Sequence, residues 1–484
     1  MLKTCIISSR GMTGAGTGLL KVKGNTKVNG RQVMKILKSF LTIVFISLIA
    51  WSLCACAAPK TRTPTRPLEA SVTPTAMPTL ASTQTKNNNE YLEVFEEVWS
   101  TVDQTYFDPD FGGLDWDAVH AEYEPLILSA KDDGVFYQLL NQMLWELNVS
   151  HAAVGPADKW PPAVPAIWEK GETGIDMRLL DDQAVITRVE AGSPAEEAGL
   201  HPGFIIQSIE ATSIEQIIAE KQGQLAPPYN DQGRIDILTR HLLSLIYGDP
   251  GTCVTLAYLD EKDELHQGCI KRVQRPRVGH MEGIPLPPSY LEFESGRLES
   301  DVGYIRFNTF HPDLLPDMVE AVAALQDAPG IIIDLRGNPG GNPDTAEKLA
   351  AQFVDGQVWF GSFKTRHGNM ERWLTGENVY TGPLVILIDT LSFSASEWFS
   401  SGMQAIERAA IIGERSPGGG AGMDVKTLPD NVILGYPVVL LLARDGKVIE
   451  GYGILPDISV TLERSQLLEG IDAQLQAAID YISR

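Results

Sequence analysis

Apolar residues recur at helical spacing where the folded part of the chain begins. The first predicted helix carries them on one side, at Leu92, Phe95, Val98, Trp99 and Val102. Two more helices are predicted over residues 117–128 and 134–147. Such apolar stripes are typical of helices that pack into a core, so residues 90–160 are expected to form a helical part of the fold.

The next segment has a different pattern. Residues 172–275 alternate short β-like runs with turn signals. A stretch at 219–248 interrupts them and looks helical, and a hairpin is expected to turn near Glu261 and Lys262. The pattern predicts a separate, mostly-β module inserted between two other parts of the chain.

From residue 300 onward, predicted strands and helices alternate. The strands are expected at 302–307, 330–336 and 384–389, and the helices at 317–326, 343–353, 395–409 and 466–482. This alternation predicts a layered α/β domain over residues 276–484.

An apolar run of 15 residues at 39–53 precedes the folded part. A membrane-spanning helix needs about 20 residues, so this run is short for one. Basic residues precede it, and a leucine and an alanine stand three and one residues before Cys56. The pattern indicates a secretory signal over residues 1–56 and resembles the bacterial lipobox, with Cys56 as the lipidated first residue. The alternatives are an uncleaved anchor and a signal without lipidation, and Met34 stands where such a signal normally begins.

Charge separates this leader from the rest of the chain. Residues 1–55 hold eight Lys and Arg and no acid, whereas the whole chain has a net charge of −23. The remainder therefore carries −31, which repels phosphate backbones and excludes nucleic acid as a partner. Residues 57–89 are rich in Thr and Pro and are expected to be an extended tether to the membrane. The predicted location is the extracytoplasmic face of a bacterial membrane.

Five cysteines are too few for a disulfide scaffold. Cys253 and Cys269 are expected close to opposite each other in the predicted hairpin. They either form a cross-strand disulfide, which an exported protein permits, or remain two small buried thiols.

Ser394 is the first candidate for chemistry, because it lies where a loop after a predicted strand meets the start of a helix. A hydroxyl there faces the positive end of the helix dipole and free backbone N–H groups. These are the requirements of an acyl-transfer nucleophile with an oxyanion hole. The plain alternative is a helix N-cap, and Ser392 and Ser396 compete for the role.

Two other features have little specific meaning when taken alone. The glycine-rich turn 337–341 follows a buried strand and either presents N–H groups to an anion or serves only as a tight turn. Glu450 stands among glycines after a predicted strand, where an acid is either functional or merely solvated.

Several motifs in one order resemble the S41 serine peptidases, which include the C-terminal processing peptidases and their tricorn-like relatives. The matching segments are 303–310, 334–341, 383–397, 413–415 and 450–460. The resemblance implies a crotonase-like α/β peptidase core and endopeptidase activity, and it puts the nucleophile at Ser394.

The inserted module resembles a PDZ domain at residues 192–195, Gly199 and Gly203. In such domains a peptide C-terminus adds as a strand to the edge of a sheet. The resemblance implies that the strand 174–179 receives the peptide, with candidate contacts at Gly174, Ile175, Asp176 and Met177. Phe204 departs from the usual aspartate at that position. The alternative is a PDZ-shaped spacer that binds no ligand.

The general base differs from that of the processing peptidases. They pair the serine with a lysine, and the matching position here is Gly419, which cannot take a proton. Tricorn-like relatives use a His preceded by Ser and a downstream Glu, which match His151, Ser150 and Glu450. The resemblance implies that His151 accepts the proton of Ser394, while Glu450 holds the imidazole directly or through the Ser150 hydroxyl.

The oxyanion hole would consist of the N–H groups of Ala395 and Gly340, with Gly341 as a competitor for the second place. His311, which follows a strand near the core, is the best rival as the base. Lys426 is not expected to replace the missing lysine.

Two functions of different classes are consistent with these features. One is a membrane-tethered serine endopeptidase that cleaves peptides or unfolded proteins. The other is a non-catalytic module that binds peptides or apolar ligands after losing the lysine. No cofactor and no metal are expected, because neither metal-ligand spacings nor nucleotide-binding glycine patterns occur.

Overall fold

The computed structural model describes residues 88–157, 160, 170–223, 225, 230–281, 288–377 and 379–484. All of them belong to one compact unit, Ser82–Arg484. The predicted signal with Cys56, and nearly all of the predicted tether, lie outside the described residues. Within the described residues, no helix is long and apolar enough to cross a membrane.

The α-helices of the described residues are numbered here in chain order. They are α1 (Asn88–Thr105), α2 (Trp116–Leu128), α3 (Asp133–Trp145), α4 (Pro194–Glu197), α5 (Ile214–Gln222), α6 (Asp231–Ile246), α7 (Leu315–Ala324), α8 (Pro343–Ala350), α9 (Ala395–Ala405), α10 (Arg464–Leu468) and α11 (Ala473–Ile482).

The β-strands are numbered in the same way. They are β1 (Ala153–Pro156), β2 (Ile175–Leu180), β3 (Gln183–Val189), β4 (Ile205–Ile209), β5 (Thr212–Ser213), β6 (Cys253–Leu259), β7 (Leu265–Lys271), β8 (Val278–Gly279), β9 (Ser289–Tyr290), β10 (Phe293–Arg297), β11 (Gly303–Phe307), β12 (Ile331–Asp334), β13 (Gly356–Thr365), β14 (Gly368–Gly376), β15 (Leu384–Ile388), β16 (Ala410–Gly413), β17 (Ala421–Leu428), β18 (Val432–Ala443) and β19 (Ile458–Ser459).

Helices α1 to α3 open the unit and pack against one another. Asp115 and Asp132 cap α2 and α3, because each side chain accepts a hydrogen bond from a backbone N–H in the first turn. The apolar faces of the three helices are buried in one core with residues of β18, such as Leu434. The start of the folded chain is therefore packed onto a strand near its end.

A five-stranded sheet makes the connection between these two parts. The long strand β18 pairs antiparallel with β1, β13 and β17, and β14 continues the sheet beyond β13. In the short β1–β18 ladder, Ala153 faces Gly435. This pairing holds the residues that follow α3 close to the segment that follows β18.

A six-stranded sheet forms the centre of the α/β part, in the order β10-β11-β12-β15-β16-β19. Apart from the antiparallel β10, all neighbours are parallel. Ile331 and Ile333 face the core with α7, α8 and α9, whereas Ile332 faces the core with α11. Because β12 and β15 are adjacent and parallel, the loops after them meet at one edge of the sheet. That edge carries the glycine-rich turn and Ser394.

The inserted module is an antiparallel sheet with helices. Its strands run in the order β2-β3-β4-β6-β7, with β5 beside β4. The helical interruption expected at 219–248 is present as α5 and α6. The strand expected to receive a peptide, β2, is the terminal strand of this sheet.

The single closing helix predicted over 466–482 is wrong, since two helices, α10 and α11, occupy this segment. Gly470 lies between them with φ of 75°. Glycine favours this left-handed conformation at the end of a helix. Asp472 then caps α11 by accepting the N–H of Leu475.

The two cysteines of the hairpin form a disulfide. Cys253 pairs in the ladder with Lys271, and Cys269 with Thr255, so the cysteines are diagonal neighbours rather than directly opposite. Both are exposed to solvent. The alternative of two buried thiols is therefore wrong.

Replacing Cys253 and Cys269 together by serine should lower the free energy of unfolding by about 3 kcal/mol, the entropic value for a loop of this size. Urea denaturation of the oxidised protein and of the double variant measures the difference. A reductant should destabilise the wild type by the same amount and leave the variant unchanged. Equal midpoints for the two proteins would contradict this expectation.

Candidate active site

Ser394 lies in the loop between β15 and α9, directly before the first residue of the helix. Its backbone has φ of 55° and ψ of −115°, which is unusual for a residue with a Cβ. The Ser394 N–H donates to Oε2 of Glu397 in the first helical turn at 2.9 Å. Backbone strain of this kind is concentrated at functional sites.

His151 lies between α3 and β1, and its φ of 65° is also in the left-handed region. Its Nε2 is 3.1 Å from Oγ of Ser394, although the two residues are 243 positions apart in the chain. Its Nδ1 is 2.7 Å from Oγ of Ser150. Each ring nitrogen therefore has one hydroxyl as its partner.

Glu450 completes the chain of hydrogen bonds. Its Oε2 accepts the Ser150 hydroxyl at 2.8 Å and the Ala421 N–H at 2.8 Å, while its Oε1 accepts the Ser150 N–H at 2.6 Å. Among the described residues, no hydrogen bond joins Glu450 directly to His151. Of the two arrangements expected from the sequence, the geometry has the one in which Ser150 stands between them.

Burial controls the charge of these groups. It lowers the pKa of His151 to about 4, so the imidazole is neutral at neutral pH and free to accept a proton. Burial also raises the pKa of Glu450, although hydrogen bonds from Ser150 and Ala421 act in the opposite direction. The hydrogen-bonded relay of His151, Ser150 and Glu450 is thus held in a poorly solvated environment.

Glu397 is a fully buried carboxylate to which the sequence motifs assign no role. Its Oε1 accepts the Ser416 hydroxyl at 2.6 Å and the Gly418 N–H at 2.7 Å, and its Oε2 accepts the N–H groups of Gly419 at 2.7 Å and Ser394 at 2.9 Å. Burial raises the pKa of Glu397 to about 7, opposed by these donors. A glutamate in the first turn after a serine is a signal that could have revealed the bond to the Ser394 backbone. Glu397 joins the start of α9 to a loop that is remote in sequence.

The N–H groups of Ala395, which follows Ser394, and of Gly341 in the glycine-rich turn have no hydrogen-bond acceptor in the part of the chain that the structure describes. The Gly340 N–H, in contrast, donates to Oδ1 of Asn338 at 2.8 Å. The Gly340 N–H is therefore already engaged, whereas the Gly341 N–H is left for another acceptor. Gly340 has another reason to be glycine, since its φ is 98° and a Cβ there would lie 2.6 Å from the Ala395 nitrogen.

The rival residues are engaged elsewhere. The hydroxyls of Ser392 and Ser396 are buried and donate to backbone carbonyls. His311 is buried as well, and its Nδ1 accepts a backbone N–H. The ammonium of Lys426 is bound to Glu97.

The residues expected to contact a peptide lie at the start of β2, and they are Gly174, Ile175, Asp176 and Met177. The side chains of Ile175 and Met177 are buried in the core of the module. The Met177 carbonyl accepts a hydrogen bond from the guanidinium of Arg178 at 2.7 Å. One carbonyl of this strand is therefore already bonded to a side chain.

Arg178 also joins the module to the loops beside Ser394. Its Nε donates to Oδ2 of Asp389 at 2.6 Å, and the two side chains are only 5% and 2% exposed. Oδ1 of Asp389 accepts the N–H groups of Gly337 at 3.0 Å and Leu391 at 2.9 Å. One buried carboxylate thus holds the glycine-rich turn, the loop before the serine and the module together. No motif pointed to this pair, because it depends on contacts between separate parts of the chain.

Asp260, Glu264 and His266 are the one group in the described ranges whose donor atoms lie close enough to hold a metal. Asp260 and Glu264 lie in the turn between β6 and β7, and His266 lies at the start of β7. Asp260 accepts the His266 Nε2–H at 2.7 Å and the N–H groups of Lys262 and Glu264. These hydrogen bonds account for the proximity of Asp260 and His266.

Two family models match the chain. Residues 301–460 match Peptidase family S41, and residues 87–145 match the Tricorn protease C1 domain. The first segment contains Ser394 and Glu450, and the second ends six residues before His151. The chain is a serine-type peptidase related to family S41.

Carboxyl-terminal-processing proteases are similar to this S41-like peptidase over most of their length. The protease of Synechocystis sp. is 25% identical over 404 residues, which is 81% of this chain and 87% of the relative. The chloroplastic Carboxyl-terminal-processing peptidase 3 of Arabidopsis thaliana is 25% identical over 382 residues, 75% of this chain and 68% of the relative.

Solved structures share the fold of the S41-like peptidase. The photosystem II D1 C-terminal processing protease superposes with a TM-score of 0.52 at 18% identity, covering 81% of this chain and 97% of its own. Mature CPAF superposes with a TM-score of 0.55 at 13% identity, covering 81% of this chain and 98% of its own.

Asp389→Asn should lower the free energy of unfolding by about 3 kcal/mol, because it removes the buried carboxylate that pairs with Nε of Arg178 and leaves this buried guanidinium with Asp176 as its remaining ion-pair partner. The control is Asp301→Asn. Asp301 is an ion-pair partner of Arg297 and its own side chain is 71% exposed, so its replacement should cost less than about 1 kcal/mol. Urea denaturation measures both. A loss at Asp389 no larger than that of the control would contradict the role given to the buried pair.

Proposed function

We propose that the chain is a serine endopeptidase with a crotonase-like core, in which Ser394 is the nucleophile and His151 is the general base. Glu450 orients the base through Ser150. The observation that carries the proposal is the distance of 3.1 Å between Nε2 of His151 and Oγ of Ser394. A general base must be within hydrogen-bond reach of the proton that it removes, and this pair meets that requirement.

The relay determines the tautomer of His151. Because the Ser150 hydroxyl donates to Glu450, its oxygen is left to accept the Nδ1–H of His151. The lone pair of Nε2 then faces Ser394 and can take its proton. As the imidazolium forms, the negative charge of Glu450 stabilises it through the polarised hydroxyl.

The reaction follows from these positions. Ser394 Oγ attacks the carbonyl carbon of the peptide bond while its proton passes to His151 Nε2, and the N–H groups of Ala395 and Gly341 bind the resulting oxyanion. The imidazolium then gives the proton to the leaving amine, and the C–N bond breaks to leave an acyl-serine. A water molecule next gives a proton to His151 and adds to the acyl carbon, and the carboxylic product leaves Ser394 reprotonated.

We place this enzyme outside the cytoplasm, tethered to a bacterial membrane. The signal pattern over residues 1–56 supports export, with Cys56 as the lipidated residue and 57–89 as the tether. The exposed disulfide between Cys253 and Cys269 supports the same location, because disulfides persist in oxidising compartments.

We assign the inserted module, residues 172–275, the role of a PDZ domain that binds the tails of substrates. The terminal position of β2 in its sheet supports this role, since an extended peptide adds to such an edge by main-chain hydrogen bonds. The substrates would be peptides or unfolded proteins with accessible C-termini.

The alternative, a non-catalytic binding module, is based on the loss of the lysine at Gly419. The continuous hydrogen bonds from Ser394 to His151, Ser150 and Glu450 favour catalysis, because a binding protein does not need them.

Ser394→Ala and His151→Ala should each lower kcat/KM by at least about 10³-fold, because each removes a partner of the bond-forming step. Cleavage of fluorescent β-casein, an unfolded protein, measures the rate, and a fluorophosphonate should label wild-type Ser394. Ser401→Ala, in the same helix, is the control and should keep both signals. A folded wild type that neither cleaves nor reacts would contradict the proposal.

The acid limb of the pH profile of kcat/KM should lie well below the pKa of a free histidine. Because the pKa of His151 is lowered from 6.5 to about 4, the base stays neutral as the pH falls through 6 and is lost only at lower pH. The folded state then binds fewer protons than the unfolded state between these two values, so stability should fall as the pH falls through this window. Measuring kcat/KM and urea midpoints from pH 4 to 8 tests both expectations. An acid limb near 6.5 would contradict them.

A further inference from the structure

Phe393, the residue before the nucleophile, contacts two other parts of the site through its ring. The ring is stacked on the His151 imidazole, with centroids 5.0 Å apart and planes inclined by 15°. The same ring lies against the backbone of Gly419. A Cβ at position 419 would be 2.0 Å from Cε2 and 2.1 Å from Cζ of Phe393, so a side chain there would displace the ring.

We infer that Phe393 is a positioning residue for the base: its ring holds the plane of the His151 imidazole, and position 419 is glycine so that the ring fits. The inference rests on the proposed function, since it concerns how His151 reaches Ser394.

The hydrogen bonds of His151 leave one motion unrestrained. The bond of 2.7 Å between Nδ1 and Oγ of Ser150 sets the direction of the ring but allows it to tilt about that bond. A flat apolar surface against one face of the imidazole restricts this tilt and keeps Nε2 directed at Ser394. Such restraint matters because a misplacement of about 1 Å costs roughly 10²-fold in rate.

The backbone holds the Phe393 ring and Gly419 in place. The Phe393 N–H donates to the Asn338 carbonyl at 3.0 Å, and the Phe393 carbonyl accepts the Ser396 N–H at 3.0 Å. The Gly419 N–H donates to Glu397 at 2.7 Å. The main chain that carries the nucleophile therefore also fixes the surface on which the base rests.

An aromatic ring also suits the change of charge during the reaction. Its apolar face keeps water from the neutral imidazole before proton transfer, and its π-face attracts the imidazolium afterwards. The titratable groups connected to His151 and Ser394 stay the same when Phe393 is changed: Glu450 is linked to His151 through Ser150, Glu397 accepts the Ser394 N–H, and Tyr106 interacts with Glu450.

The test uses the full chain with fluorescent β-casein and a fluorophosphonate. Phe393→Leu, which keeps apolar volume without a flat face, should lower kcat about 10-fold, and Phe393→Ala about 100-fold, with KM unchanged. In Phe393→Ala the acid limb should move towards pH 6.5, because water reaches the imidazole and raises its pKa. A role limited to stability would leave that limb in place.

Gly419→Ala leaves Phe393 unchanged but adds a methyl group that displaces its ring. It should lower kcat about 10-fold or more. The double variant Phe393→Ala with Gly419→Ala should be no slower than Phe393→Ala alone, since no ring remains for the methyl group to displace. Gly296→Ala is the matched control, because a Cβ there meets nothing within 4 Å, and it should be as active as the wild type.

Wild-type kcat and labelling rate in a folded Phe393→Ala, or losses that add in the double variant, would overturn the inference and leave the proposed function intact. A wild type that does not react at Ser394 would overturn the proposed function instead. If Phe393→Ala does not fold, the kcat and acid limb of Phe393→Leu and Gly419→Ala decide the matter in the same way.

Discussion

One antiparallel strand pairing determines whether the site exists. β1 has only four residues, yet its ladder with β18 holds His151 beside a serine that is 243 positions away. The same contact closes the core shared by the opening helices and the late strands. The segment after the opening helices and the late strand β18 must therefore meet before His151 and Ser394 do. Contacts of such long sequence separation make folding slow, since closing so long a loop costs entropy before the contact can form.

Elements with a local signal could be predicted from the sequence within a few residues. The buried strands β12 and β15 are continuous apolar runs, and the helices α2 and α3 begin at aspartate caps, so nothing distant is needed to recognise them. The apolar spacing over residues 466–482 continues across Gly470 and therefore predicts one closing helix. The backbone conformation that interrupts it is not visible in that spacing.

The sequence predicts which residues form the site more fully than it predicts the hydrogen bonds between them. A motif could not decide whether Glu450 reaches the base directly or through Ser150, because the answer depends on atoms brought together across 300 positions. A glycine-rich turn carries no signature of the Asn338 side chain that takes the Gly340 N–H, so the sequence pattern alone does not separate Gly340 from Gly341. Buried partners such as Glu397 are found only when the loops that surround them are in place.

The missing Cβ at position 419 bears on how such sites diverge in evolution. In this chain any side chain at position 419 and the aromatic ring of Phe393 would require the same volume. A chain that carried both side chains in this arrangement would be overpacked beside Ser394. A larger residue at position 419 therefore requires a matching change at position 393. Relatives of one fold can in this way become separated by a barrier that single substitutions do not cross.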